Sequence, residues 1–305
     1  MPVCTNCACP TKFVYTTYKT QSNIRLTVCS QCNQFADPLI EHPPLLIFLD
    51  LVLLKPRVFL HLLFNRGCLP YSAVSKEVDE DKKSMARCRQ LWKDFWVLAL
   101  TTVVAEAAAR LLPAADGSKL SQGRETTMGD VVTVMLRVCT EVVVQHLTTL
   151  GLVLVVLRMK GWKAMSRDTR SEKVIRDGRR KHFLPILVPL TLLYTSLFPL
   201  LFQLFLYPWC TPVPTIHEPI LPVSSFSIVS SLPIPISAPS VVLEVEKALQ
   251  EAWSKGDRIW TGIKLLGDMS AGFGLRVLLP TRPWETAAII LTGTTVTRAL
   301  EGILS

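Results

Sequence analysis

Cys4-Thr5-Asn6-Cys7, Cys29-Ser30-Gln31-Cys32 and, close behind them, Leu45-Leu46-Ile47-Phe48-Leu49-Asp50-Leu51-Val52-Leu53-Leu54-Lys55 decide how the rest of the chain is read. The first two are C-x-x-C pairs, and the third is an apolar run holding two charges. Each pair lets a tight turn aim two sulfurs at one ion, and two such pairs about twenty residues apart fit a structural zinc ribbon. Thiolates supply the charge and softness that a four-coordinate Zn2+ takes. Between the pairs, residues 12–18 and 24–28 are β-branched and aromatic, which predicts two strands joined by a polar turn at Gln21-Ser22-Asn23. A head of roughly 35 residues is too small to bury a useful core, so the metal is expected to supply its folding energy. The bland alternatives are a disulfide framework or unrelated thiols. The spacing and the strand-like arms favour Zn2+ on Cys4, Cys7, Cys29 and Cys32. Cys9 is read as a bystander, with ligand exchange against Cys7 as the alternative.

Residues 39–65 are leucine-rich yet carry Glu41, Asp50, Lys55, Arg57 and His61. A conventional membrane span does not tolerate that many charges near its centre. Pro43-Pro44 opens the run and Pro56 breaks it into two short helices. Each is roughly ten residues, too short to cross about 30 Å of hydrocarbon. Two readings stand. One is an in-plane or re-entrant pair, with Asp50, Lys55, Arg57 and His61 as the lipid-contacting residues and the two cations reaching headgroups. The other is a helical hairpin buried against the zinc head.

The order C-x-x-C, aromatic arm, C-x-x-C, then Phe48-Leu49-Asp50-Leu51-Val52-Leu53-Leu54-Lys55 and a closing His61-Leu62-Leu63-Phe64-Asn65, resembles the Arv homology domain over about the first 65 residues. That domain marks the Arv proteins of the endoplasmic reticulum membrane. The family usually carries Tyr-Arg before the His-Leu-Leu-Phe-Asn, where this chain has Phe59-Leu60, and here Pro56 follows Lys55 directly. The resemblance implies a role in sterol distribution and in early glycosylphosphatidylinositol (GPI) assembly. The implied partners are membrane lipids, sterols and the complex that transfers N-acetylglucosamine to phosphatidylinositol.

The chain has 305 residues, 49% of them hydrophobic, and a mean hydropathy of +0.34, which argues for a small head on a multi-span body rather than two soluble domains. The formal charge of +9 sits largely between Arg158 and His182, where ten Lys and Arg face three acids. Apolar runs flank that segment, so membrane topology and anionic headgroups explain it better than nucleic acid, and the positive-inside rule makes it a cytosolic loop. The head then shares the reducing cytosolic side. The first forty residues hold no apolar signal-peptide core.

Residues 1–38 form the ribbon, 39–65 the membrane-seeking segment and 66–90 a polar linker or helix approach. Residues 91–209 form the transmembrane body, with spans at about 91–112, 131–157 and 183–207. Residues 210–239 are Pro- and Ser-rich and expected in the lumen, and 240–305 hold amphipathic helices with a marginal last span near 284–304. In the first span Glu106 and Arg110 form an i,i+4 pair. In the second, Arg137, Glu141 and Gln145 share one helix face and His146 is the next residue round. Ionisable groups at membrane depth face a bundle interior or a wet cavity. The stripe is therefore either a polar intramembrane site or a structural ion pair between helices. Pro185, Pro189 and Pro199 are expected to kink the third span. No phosphate loop, H-E-x-x-H or G-x-S-x-G is present. An intramembrane acyltransferase would rest on His146 with Glu141. The expected architecture is a mainly α-helical multi-pass membrane protein with a small N-terminal β zinc ribbon and no catalytic site.

Overall fold

The computed structural model describes residues 2–18, 24–72, 80–115, 128–160, 178–206, 258–279 and 281–304. The turn at Gln21-Ser22-Asn23, the centre of the basic segment, the Pro/Ser-rich stretch and the helix expected after Ser240 lie outside the described residues. In the head, β1 (Tyr15–Thr17) and β2 (Ile24–Leu26) pair antiparallel with Tyr15 opposite Leu26. A third strand, β3 (Tyr71–Ser72), pairs parallel to β1, giving the order β2-β1-β3. Phe13 stacks on Tyr71 with ring centroids 5.0 Å apart, which anchors that extra strand.

Two short helices follow the head. Helix α1 (Pro44–Val52) starts with proline at its first turn, where no amide is needed. It stops at Leu54, whose φ of +53° turns the chain left-handed, and Pro56 holds Lys55 extended. Helix α2 (Pro56–Leu60) runs into a wide π turn, His61–Asn65, closed by the Arg66 amide donating to the His61 carbonyl at 2.9 Å. The two halves of this hairpin differ. Leu45, Leu46, Leu49 and Leu53 of α1 are exposed, whereas Val58, Phe59, Leu63 and Phe64 are fully buried.

Among the described residues the body is a bundle of five long helices: α3 (Glu80–Ala115), α4 (Met128–Met159), α6 (Leu187–Leu206), α7 (Arg258–Leu278) and α8 (Pro283–Leu304), with a short α5 (Gly178–Lys181) before α6. Helix α6 is central: α7, α3, α4 and α1 pack on it, and α8 packs on α4 and α7. The buried half of the hairpin plugs one end of this bundle, where Phe59, Leu63 and Phe64 join Leu91, Leu187, Leu190, Leu275 and Leu278 in one core. Helices α4 and α6 are long and apolar enough to cross a membrane; only 17% of the apolar window of α4 is buried, so most of it faces outward.

Several expectations are sharpened or corrected. Of the two readings of residues 66–90, the helix approach holds from Glu80, where α3 begins, because residues 80–90 are mostly strong helix formers. Pro185 lies before α6 and Pro189 in its first turn, where neither removes a hydrogen bond, so Pro199 alone is interior. Within the stretch expected to hold amphipathic helices, α7 is one continuous helix from Arg258 to Leu278. Two of its glycines are contact points. A Cβ at Gly274 would stand 2.6 Å from Thr195 Cγ2 and 2.8 Å from Thr191 Cγ2, and one at Gly267 would meet Pro199 at 3.3 Å. Small residues here let α7 run antiparallel against α6 at close range.

Candidate metal centre

Each C-x-x-C pair folds as a knuckle, and the second repeats the first. The Cys4 amide donates to the Cys9 carbonyl at 2.8 Å and the Ala8 amide to the Cys4 carbonyl at 2.9 Å. In the second knuckle the Cys29 amide donates to the Gln34 carbonyl at 2.8 Å and the Asn33 amide to the Cys29 carbonyl at 3.0 Å. The residue after each second cysteine is left-handed, Ala8 at φ +57° and Asn33 at φ +55°. Short antiparallel bridges, Val3 with Pro10 and Val28 with Phe35, close both.

This geometry brings all four sulfurs of Cys4, Cys7, Cys29 and Cys32 within 4.8 Å of one another. Cys4 and Cys32 stand 3.7 Å apart, as do Cys7 and Cys29. Sulfurs at the ~2.3 Å Zn–S distance on tetrahedral vertices are about 3.8 Å apart, whereas a disulfide needs about 2.05 Å. The set can hold a metal ion. Burial pushes the Cys4 and Cys7 thiols up, while the Gln34 amide pulls Cys32 down to about 7. A cation among the sulfurs supplies the charge that lets the buried members ionise. Cys9 is outside the set, its sulfur 3.9 Å from the Pro10 carbonyl.

The centre is fastened to the hairpin through Asp37. This carboxylate is fully buried, and Oδ2 lies 2.6 Å from His61 Nδ1 and accepts from Asn65 Nδ2 at 2.8 Å. Its Oδ1 accepts from the Leu39 amide at 3.2 Å and so caps the 3-10 turn Pro38–Glu41. Asn65 also accepts from the Val3 amide and donates to the Val3 carbonyl, each at 2.8 Å, gripping the residue before Cys4. The wide π turn keeps His61 and Asn65 on the same side, facing Asp37. Arg57 Nη2 donates to Asn6 Oδ1, inside the first knuckle, at 2.8 Å.

The four residues expected to touch lipid therefore divide. His61 is corrected: it is an interior ring bound to Asp37, because a buried carboxylate without a donor is costly. Lys55 pairs with Asp50 at 2.5 Å on the exposed rim, and Arg57 is exposed while leaning on the knuckle. Asp37 and Asn65 escaped the sequence reading. Their signals were an Asp before a Pro at a turn and the Asn that ends His-Leu-Leu-Phe-Asn.

The head is also tied to the bundle. The Gly178 amide donates to the Ala8 carbonyl at 2.8 Å, and a Cβ on Gly178 would stand 2.8 Å from Val3 Cγ1. Arg179 Nη1 donates to the Val277 carbonyl at 3.1 Å, and Lys160 pairs with Glu285 at 2.5 Å. Arg66 reaches Asp94 at 3.2 Å, and Arg87 donates to the Leu63 carbonyl while lying over the Phe64 ring. Both described flanks of the basic segment, Lys160 and Gly178, thus lie at the head end of the bundle.

The polar stripe sits toward the opposite end. Glu141 is buried and accepts from Arg110 at 2.5 and 3.0 Å, with Arg137 3.4 Å away along its own helix. Arg110 also holds Glu106 at 3.2 Å. The local pair of α3 and the stripe of α4 are therefore one network across the helix contact. Gln145 is half-buried on the same helix. His146 does not meet Glu141; its Nδ1 bonds to the Val142 carbonyl at 2.7 Å.

A model of the Arv1-like family matches residues 3–231. Among curated proteins, the chain is similar to Protein arv1 of Schizosaccharomyces pombe, 48% identical over 63 residues, covering 20% of this chain and 24% of that protein. It is similar to the Protein arv1 homolog of Dictyostelium discoideum, 44% identical over 66 residues, covering 21% of this chain and 27% of the homolog. Protein ARV1 of Saccharomyces cerevisiae is 38% identical over 63 residues, covering 21% of this chain and 19% of its own length. The matched segments thus span about a quarter or less of each of these relatives. No solved structure matches.

Proposed function

The chain belongs to the Arv1-like family, and from that premise we propose that it is a multi-pass protein of the endoplasmic reticulum membrane that supports sterol homeostasis and early GPI assembly as a non-catalytic accessory. The metal is structural Zn2+. Four cysteines fill a tetrahedral shell and leave no position for substrate, which supports a scaffold rather than a catalytic metal. His146 engages its own helix backbone rather than Glu141, which speaks against the acyltransferase pairing.

The observation that carries the reading is the fastening of the head. Asp37, His61, Asn65 and Arg57 join the cysteine knuckles to a hairpin whose second half is the plug of the helical bundle. Such a head holds a fixed orientation at one end of the bundle, as a docking surface must. Membrane insertion is supported by α4, where Leu136 and Leu147 are 63% exposed and apolar neighbours share that face, a surface that water disfavours and lipid accepts. A cytosolic head is supported by the basic segment, whose flank at Gly178 bonds to Ala8 of the head.

The test uses membranes from cells with and without the protein. Labelled UDP-N-acetylglucosamine is supplied, its transfer to phosphatidylinositol is followed, and sterol distribution is assayed in the same cells. Loss of transfer in isolated membranes supports the accessory role. Normal transfer with disturbed sterol overturns it and makes the protein a lipid transporter or sensor in its own right.

A further inference from the structure

A groove of about 770 Å³ opens between the first knuckle, the start of α2 and the C-terminal turn of α7. Four cations line it: Lys55, Arg57, Arg179 and Arg276, and none of the lining residues is acidic. The four come from three separate places in the chain, so their convergence is a product of the fold. Two are held in position by the protein itself, Arg57 by the Asn6 side chain and Arg179 by the Val277 carbonyl. The groove also has an apolar wall at Phe273, Val277 and Leu60. A convergent set of cations with a partly apolar lining and this volume suits a small anionic ligand with a hydrocarbon portion.

We propose that this groove binds the phosphate of an anionic phospholipid headgroup, clamped between the metal-bearing head and the end of α7. The proposal rests on the lipid reading above and deepens it by naming a site. A membrane lipid is favoured over a soluble phosphate by what surrounds the groove. The exposed leucines of α1 immediately precede Lys55, so an apolar surface leads directly to the cationic rim. The cations lie at the head end of helices long enough to cross a bilayer, where headgroups would stand. Arg can hold a phosphate by two parallel N–H donors, so Arg57, Arg179 and Arg276 carry the site, while Lys55 at the mouth is paired with Asp50.

The probe is phosphatidylinositol in phosphatidylcholine nanodiscs carrying the purified full-length protein, with binding read by titration and metal content measured in parallel. Arg276→Gln is the primary variant, because that side chain is exposed at the groove, and Arg57→Gln is the second. Each is expected to weaken phosphatidylinositol binding about fivefold, the effect of one cation at an anionic surface. Arg298→Gln, an exposed cation of α8 outside the groove, is expected to bind as the parent does. If Arg276→Gln keeps its metal and binds phosphatidylinositol undiminished, the site is wrong. Equal binding of free inositol 1-phosphate, without a bilayer, also overturns the lipid assignment. The outcome is separable from that of the transferase experiment: normal lipid binding by Arg276→Gln with loss of transfer in cells lacking the protein removes this site and leaves the accessory role standing.

Discussion

The head with its hairpin and the five-helix bundle are held together by opposite means. In residues 2–65 the decisive contacts are polar, directional and long-range: four sulfurs, then Asp37 satisfied by three donors and Asn65 bonded twice to Val3. In the bundle the contacts are mainly apolar surfaces and small residues such as Gly267, Ser270 and Gly274, with an ionic network at Arg110 and Glu141 and the Lys160–Glu285 pair. The reason is size and surface. A small head has too little core to fold on burial alone and must be stapled. Long apolar helices associate through close fit, and α7 meets α6 at glycines. The two regions should therefore fail in different ways.

The largest effect is expected from the metal. Apparent binding energies of structural zinc are about 10–16 kcal/mol in small domains. Cys29→Ser should empty the site, unfold the head and abolish function while leaving the bundle helical. Metal analysis with limited proteolysis and circular dichroism would show this; a head that resists protease without metal breaks the contrast. Next comes Asp37→Ala, which leaves His61 and Asn65 buried without their acceptor and should cost about 3–5 kcal/mol. The variant is expected to release metal at a lower chelator concentration than the parent. If it holds metal as tightly, the head does not depend on the hairpin.

In the bundle the sensitive variable is volume. Gly274→Leu places a side chain where even a Cβ meets two threonine methyls, and overpacking of that kind costs about 1–3 kcal/mol. Detergent melting should fall while metal content stays unchanged. The smallest effect is expected from the ionic network. Glu141→Gln removes the buried charge facing Arg110, but Arg110 keeps Glu106, so the loss should be about 0.6–1.7 kcal/mol. A double-mutant cycle with Arg110→Gln isolates the coupling. A value as large as that at Asp37 would mean that the bundle is stapled by polar contacts too.

The same contrast governs what could be read from the sequence. Cysteine spacing, the strand pair and the proline-bounded hairpin are local patterns, and each is where it was expected. The polar hub was not legible, because Asp37 meets His61 and Asn65 across 24 and 28 residues and no periodicity marks such a pair. His61 was taken for a lipid-facing residue for that reason. β3 is two residues long, too short to show alternation. Glu106 and Arg110 were visible as neighbours on one helix, but Glu141 reaches them only through the packing of α3 on α4. In α7 the helix was legible from its apolar pattern, but nothing in the sequence says that its glycines are where α6 comes close.

The hydrogen bond between Gly178 and Ala8 sets a clock on assembly. The knuckle carrying Ala8 leaves the ribosome early, and its partner follows roughly 170 residues later, about ten to thirty seconds at ordinary rates of synthesis. All four cysteines of the head are complete in that interval, when neither α6 nor α7 yet exists to close over them. The bundle then forms around a finished part. Closure of Gly178 on the knuckle is thus a late contact, made between the first-synthesised part of the chain and a residue that follows far behind it.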